Sequence, residues 1–577
     1  MTGKLPSLGE LSKCGPSSSL GCGPHENTII PMRTHAGRPK LPRRPFPLLA
    51  ITSLLLATGA CGANRSPAPD ADKVSEATIL LASEPAGING LVSGGGRATQ
   101  DLIDRLFLHL FEEQPDFAEH PPTFIGQLAE QWSWSPDHRT LSVTLRSDVR
   151  WSDDTPVTAD DVRWTWLAQR DPAVGWPYAE IKEPIRAVRT TGRYTFEVEF
   201  SAHTPNQLAV LNEGVILPRH AWSELPFADW PQSADWFFEH AITNGPFIID
   251  SWQRQQHLIL RRNPDYYQAG RPQLDRVLLR IVPLRQNRLA ELAAGSADFA
   301  AQLTPAEARQ LEREPAVEIR RFWHRQYDYL AWNLRRPRLA VAATRRALTQ
   351  ALDRPALIET VWHGEARLAT SPILSSVWAH HAALEPWPHD LAAARAGLAT
   401  AGWQPDASGM MRREGQLFEL EILVNTGNSI HVDAATLMIG QLKRAGIAAR
   451  LNRLDFHALI DRLDSGDFDA AIGSWGIDTS LDLAYAFHSD SITEGYNSGG
   501  YSNPEVDRLI DATQSETDIE TLREQLHAIQ SLLHRDQPYT FLWEPPRLDA
   551  HSRRLRGVQS NPLGSLFQLR EWWLADS

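Results

Sequence analysis

Asp478 is the residue in this sequence best placed for binding chemistry. It closes the run Trp475-Gly476-Ile477-Asp478, which follows the apolar stretch Phe468 to Ile472. That stretch reads as a buried strand, so Asp478 falls just past a strand's C-terminal end, where the loops of open α/β sheets meet ligands. An ionised carboxylate offers hydrogen-bond acceptors only, which suits a cationic group withdrawn from water. Other reactive types are placed less tellingly. Asp153-Asp154 and Asp160-Asp161 are adjacent in the chain and read as turn and cap residues, not as an acid/base pair. His380-His381 is the one compact histidine pair and reads as a solvated loop. Gly94-Gly95-Gly96 lacks the Lys-Ser/Thr of a phosphate loop. No His-Glu-x-x-His, G-x-S-x-G or Walker motif occurs, so the chain is not expected to be an enzyme. Cys14, Cys22 and Cys61 all precede residue 62, leaving the body no disulfide, cysteine zinc site or thiol nucleophile. No cofactor or metal is expected.

The elements that must hold these residues are legible from patterning. The 577 residues suffice for several domains, and 42% hydrophobic with 22% charged residues is ordinary for a globular protein. Twenty Trp against five Met reads mainly as core filling. A net charge of −13 argues against nucleic acid. Leu141 to Pro172 forms a strand–turn–helix corner. Val143, Leu145 and Val149 alternate with polar residues, Thr158 stands as an N-cap with Asp161 three residues on, and Asp171-Pro172 stops the helix. Strands are expected at Ala77 to Ser83, Ile185 to Val188, Tyr194 to Phe200, Val277 to Val282 and Tyr539 to Trp543, and helices at Gln100 to Phe111, Gln286 to Ala294, Ala343 to Arg354 and Ile519 to Leu533. Arg345, Asp353 and Arg354 read as solvated or structural charges. Phe418 to Val424, Asp433 to Ala445 and Ile447 to Leu451 make a βαβ unit, hence parallel strands.

The N-terminal segment reads as an address. Five Lys/Arg after Met32 lead into the apolar run Leu48 to Ala57, and Thr58-Gly59-Ala60 precede Cys61. This is a signal peptide in form, with translation expected to start at Met32. Export is expected by the general secretory route, although Arg43-Arg44 resembles a twin-arginine core. The small triplet before Cys61 resembles a bacterial lipobox, which makes Cys61 the expected lipidated residue. Residues 1–60 hold seven Lys/Arg and two Asp/Glu, so a chain without them carries −18. Residues 61–75 are a Pro/Ala/Asp-rich tether.

Five or six ordered blocks carry a family resemblance from Ala77 to the C-terminus. Arg150-Trp151-Ser152-Asp153-x-Thr155-Pro156-Val157-Thr158-Ala159-x-Asp161-Val162 resembles the signature of extracytoplasmic solute-binding proteins of family 5, the oligopeptide- and dipeptide-binding components of ABC importers. Leu128-Ala129-Glu130-x-Trp132 resembles its lead-in. Gly245-Pro246-Phe247 with Arg262-Asn263-Pro264-Asp265-Tyr266-Tyr267 resembles a second block, and Gly500-Tyr501-Ser502-Asn503-Pro504-Glu505-Val506-Asp507 a later one. Asp154 stands where the family usually has Gly; Asp tolerates the left-handed turn this position needs. The resemblance implies an α/β fold of the periplasmic binding protein type II kind, with two α/β lobes, hinge crossings and an extra inserted domain. The expected limits are 76–97, 215–325 and 545–577 for the first lobe, 98–214 for the insert and 326–544 for the other lobe. It implies capture of a short peptide in the interlobe cleft. Asp478 would pair with the peptide's α-ammonium, the backbone of Ser474, Trp475 and Gly476 would accept it as an added strand, and Asn244 would line the hinge side or brace a turn. The implied partners are an ABC permease and ATPase complex and the membrane, reached by the lipid anchor of a periplasmic, cell-envelope monomer. Thr479-Ser480-Leu481-Asp482 replaces the Asp-Pro or Glu-Pro that often follows in the family. Alternative cargoes are an opine, an oligosaccharide, haem or a nickel chelate, and the same fold also serves permease-independent sensors and chaperones.

Overall fold

The corner at Leu141 to Pro172 folds as its residues dictate. The strand Thr140–Leu145 leads to a turn in which Asp154 takes φ +71°, and the helix Ala159–Arg170 opens with Thr158 and Asp161 capping one another. The Asp161 carboxylate accepts from the Thr158 amide at 2.8 Å and from the Arg219 amide at 3.0 Å, fastening the helix start to a second segment. The computed structural model describes residues 74–94, 96–323, 325–559 and 562–575. The expected leader and Cys61 therefore lie outside the described residues, as does all but the end of the tether. Everything below belongs to the unit Asp72–Ser577.

Two mixed sheets carry the body. The seven-stranded sheet runs Val317–Trp323, Pro546–Ser552, Phe299–Ala300, Glu76–Leu81, Arg276–Ile281, His257–Arg262, Phe247–Gln253. Glu76–Leu81 pairs in parallel with two neighbours, Ile79 lying opposite both Leu279 and Phe299. The six-stranded sheet runs Arg367–Leu368, Tyr539–Glu544, Gln326–Trp332, Ala470–Gly476, Glu419–Asn425, Ala448–Leu454. Its last pair is parallel, bridged by the helix Ser429–Arg444, as the βαβ pattern requires. The chain passes between the sheets twice, from Trp323 to Gln326 and from Glu544 across Pro545 to Pro546. A four-stranded antiparallel sheet holds Ala129–Trp134, Thr140–Leu145, Thr195–Phe200 and Ile185–Thr190. Its inward residues Val143, Phe196 and Val198 share one apolar cluster with Ile79, Leu260 and Val277 of the seven-stranded sheet. Trp151, Trp222, Trp230, Trp332, Trp543 and Trp572 are fully buried, so these indoles fill core.

Several elements differ from their sequence reading. The helix expected at Gln100 to Phe111 spans Arg97–Leu106, and Phe111 begins the strand Phe111–Glu113. The helix expected at Ala343 to Arg354 ends at Ala351. Asp353 then caps a second helix, Arg354–Val361, accepting from the Ala356 amide at 3.0 Å. Pro355 has no N–H to give to the Ala351 carbonyl and its ring crowds it, so the first helix cannot run through, whereas Pro is tolerated in the first turn of the next. Arg345 and Arg354 are buried and structural. Arg345 donates to the carbonyls of Leu339 and Ala340, and Arg354 to those of Phe541 and Trp387.

Candidate functional site

The strand that carries the proposed site is longer and later than its apolar core suggested. It spans Ala470–Gly476, so Trp475 and Gly476 lie within it and Asp478 two residues beyond. One edge pairs along its whole length with Gln326–Trp332, Ser474 facing Asp328 and Gly476 facing Gln326. The other edge pairs with Glu419–Asn425 only at Ala470 and Ala471. Among the described residues no strand pairs with that edge from Ile472 to Gly476. Gly473 is required here, because a Cβ would stand 2.6 Å from the Tyr329 hydroxyl oxygen. The Ile477 amide donates to the Arg325 carbonyl at 2.9 Å and so places Asp478 beside the first crossing.

Asp478 is open to solvent but hemmed in by protein. This desolvation raises its pKa above the ordinary carboxylate value; the neighbouring charge of Asp482 adds to the effect, and a hydrogen bond from Ser480 Oγ at 2.8 Å opposes it. Trp475 stacks parallel to Tyr329 at 6.2 Å and meets the edges of Tyr485 at 4.8 Å and Tyr496 at 5.6 Å. Tyr329 in turn stacks on Tyr539 at 4.2 Å. Burial pushes the phenol of Tyr539 up to about 12 and those of Tyr327, Tyr329 and Tyr485 higher. These tyrosines therefore stay uncharged at neutral pH.

Two expected site residues are otherwise engaged. Ser474 keeps its backbone on the open edge, but its hydroxyl donates to Asp328 Oδ1 at 2.6 Å. Asn244 is 1% exposed. Its Oδ1 accepts from the Leu108 amide at 2.9 Å and its own amide donates to Leu106 O at 3.1 Å. Its Oδ1 and backbone N–H thus brace a turn, while its buried Nδ2 has no hydrogen-bond partner among the described residues. Next to it, Gly245 approaches so closely that a Cβ would meet Arg105 O at 2.6 Å.

Sequence reasoning missed the centre of the hinge. Asp328, 2% exposed, lies just past the first crossing. It accepts from Trp543 Nε1 at 2.7 Å, Ser474 Oγ at 2.6 Å and Gln326 Nε2 at 3.1 Å, with His431 Nε2 at 3.0 Å. Burial alone would raise its pKa. The charge and hydrogen bond of His431, with those of Ser474 and Gln326, outweigh that and hold it below the ordinary value. An ionised carboxylate only accepts, so His431 carries its proton on Nε2. A lone Asp in the otherwise aromatic and apolar run Tyr327 to Trp332 was the available signal.

A second missed feature is Phe117, 3% exposed, which belongs to the apolar cluster of the six-stranded sheet with Tyr327 and Trp378. Its carbonyl accepts from the Trp378 amide at 3.0 Å, and Arg325 lies 4.4 Å from its ring and 2.6 Å from Glu113.

Two cavities open beside Asp478. One, of about 350 Å³, is lined by Asp104, Arg105, Glu112, Glu113, Glu213 and Arg570 among others. The second, of about 320 Å³, lies between the segments 121–138 and 203–209 on one side and Trp378 and 517–526 on the other. Phe124, Ala209 and Thr479 line both, so they are adjoining chambers. Among the described residues no group of three or more His, Cys, Asp or Glu is arranged to hold a metal. His380 Nδ1 lies 2.9 Å from Ile373 O, and His381 stacks on His527 at 4.4 Å. No described helix is long and apolar enough to cross a membrane.

Residues 123–497 match the family model of bacterial extracellular solute-binding proteins, family 5, middle region. The oligopeptide-binding protein AppA of Bacillus subtilis strain 168 is 26% identical over 540 residues, covering 92% of this chain and 98% of that protein. The solved structure of AppA in complex with a nonapeptide matches with a TM-score of 0.73, at 26% identity, over 87% of this chain and 99% of that chain. NikZ of Campylobacter jejuni, solved with Ni(L-His), matches with a TM-score of 0.74 at 21% identity, over 86% of this chain and 99% of that one.

Proposed function

The chain belongs to the family 5 extracellular solute-binding proteins of ABC importers, with their type II periplasmic binding fold, and we propose that its cargo is a short peptide held between the two sheets. The observation that carries this reading is the open edge from Ile472 to Gly476, which runs out at Asp478. An extended peptide can pair its backbone with the edge at Ser474 to Gly476 as an added strand, and its α-ammonium then meets the Asp478 carboxylate. That carboxylate is partly desolvated, with one side-chain donor, so a cation restores what burial removed. Trp475 and the tyrosines around it supply apolar cover. AppA, solved with a nonapeptide, supports a peptide as the cargo class.

The cycle is binding without chemistry. The two crossings at 323–326 and 544–546 act as hinges, the sheets close on the peptide, and the closed form delivers it to the permease and its ATPase. The protein acts outside the cytoplasm, as its family does. Lipid attachment at Cys61 holds it, as a monomer, at the membrane. Native mass spectrometry of the purified full chain, alone and with a pool of di- to hexapeptides, tests the reading. Bound peptides that are lost on Asp478→Ala support cargo and anchor together. Peptides retained by that variant remove the anchor and keep the cargo. A sugar, opine or chelate bound in place of peptide overturns the cargo.

A further inference from the structure

The two chambers beside Asp478 differ in charge, and the difference bears on which peptides fit. The first is ringed by four carboxylates and two guanidiniums: Asp104, Glu112, Glu113, Glu213, Arg105 and Arg570. The second has no Asp, Glu, Lys or Arg among the described residues that line it. Its walls are set by Phe124, Trp134 and Leu208 on one side and by Trp378, Ile519 and Leu522 on the other. Ile519 is 37% exposed although it faces this chamber at the start of the helix Ile519–Asp536. His138, His203, Thr204, Asn206, Gln207 and Thr517 also line it, so an apolar group is favoured where it covers the aromatic and aliphatic walls.

The chamber also has a fixed relation to the proposed anchor. Ser480 lines it and donates its hydroxyl to Asp478 at 2.8 Å, while Thr479 borders both chambers. An ammonium at Asp478 therefore stands at the junction, and a side chain close to that ammonium can enter the second chamber. About 320 Å³ is ample for a large side chain, leucine-like or aromatic. The walls come from the segment carrying the four-stranded sheet and from helices beside the six-stranded sheet, so an apolar group seated there ties the two bodies together.

We propose that this second chamber is a specificity pocket for a bulky apolar or aromatic side chain near the amino end of the peptide. This rests on the peptide reading above. The test is calorimetric titration of the full chain, purified in detergent, with tripeptides that differ only by Phe or Leu against Ser at each position in turn. At the first or second position, Phe or Leu is expected to bind at least about tenfold tighter than Ser. Ile519→Asp, a change at an exposed helix start that favours acidic residues, is expected to abolish this preference. Leu208→Asp, on the opposite wall, is expected to do the same. Equal affinity for the Phe, Leu and Ser peptides, or a preference untouched by both variants, overturns the pocket and leaves the peptide reading standing. Folded protein that binds none of these peptides overturns both.

Discussion

Two aspartates on this framework make opposite use of the same side chain. Asp328 is enclosed, with donors from Trp543, Ser474, Gln326 and His431, and its pKa is held down. Asp478, just beyond the strand paired with that of Asp328, reaches solvent, accepts from one side chain and has its pKa raised by desolvation. A saturated carboxylate has no lone pair left for a ligand and serves structure; it fastens together the two strands of the six-stranded sheet that adjoin the crossings. A carboxylate that desolvation raises despite hydrogen bonds from Ser480 and Leu481 of its own loop is poised for a cation that the chain does not provide. Desolvation prevails at Asp478, while the charge of His431 and the donors around Asp328 outweigh it there.

The largest expected effect comes from breaking the saturated member. Asp328→Ala leaves His431 and the Trp543 indole N–H buried without their acceptor. A loss of about 3–5 kcal/mol in unfolding free energy is expected in denaturant titrations; a loss below about 1 kcal/mol would show that the network is not structural. Asp478→Asn should invert this pattern. The melting temperature stays or rises slightly, while peptide affinity falls at least about 30-fold. A variant that melts early and binds normally would erase the distinction between the two aspartates.

Acidity sharpens the same contrast. Only ionised Asp478 pairs with an ammonium, and its pKa lies above the ordinary carboxylate value. Peptide affinity should therefore fall as pH drops through that raised pKa, earlier than an ordinary carboxylate would allow. Calorimetry across a pH series reads this directly, and an affinity flat down to pH about 4 would remove Asp478 from the site.

The smallest effect tests whether hydrogen-bond partners can also hold the charge of a buried cation. Lys182 is 1% exposed and gives its ammonium to the carbonyls of Val210, Leu211 and Glu213 at 2.8, 3.1 and 2.7 Å. Burial lowers its pKa to about 7, with the Glu213 charge opposing. Between about 7 and its unfolded value near 10.5 the unfolded chain binds the extra proton, so stability rises with pH across that window. The slope is at most about 1.4 kcal/mol per pH unit, and Lys182→Met should flatten it. An unchanged slope would show that the three accepting carbonyls keep the ammonium charged.

Local chemistry was legible in the sequence and distant chemistry was not. The Thr158–Asp161 cap, the left-handed Asp154 and the parallel unit from Phe418 to Leu451 depend on neighbours within one or two elements, and each is present. The return to the first sheet after Trp543 followed from family order, and Pro546–Ser552 makes it. The break at Leu352 to Asp353 was hidden because apolar spacing continued through it, although Pro355 marked it. The hinge network was hidden for a different reason: Asp328 gathers His431, Ser474 and Trp543 from more than 100 residues away, so no window of sequence contains it. The two chambers are likewise assembled from many segments distant in the chain.

The bond from the Trp543 indole to Asp328 gives the hinge a built-in reporter. Trp543 is one of twenty tryptophans, is fully buried, and donates to a carboxylate beside both crossings. With the indole nitrogens isotopically labelled, its proton should resonate far downfield and exchange slowly. A change in that one signal on adding cargo would time the bending of the hinge without any dye attached.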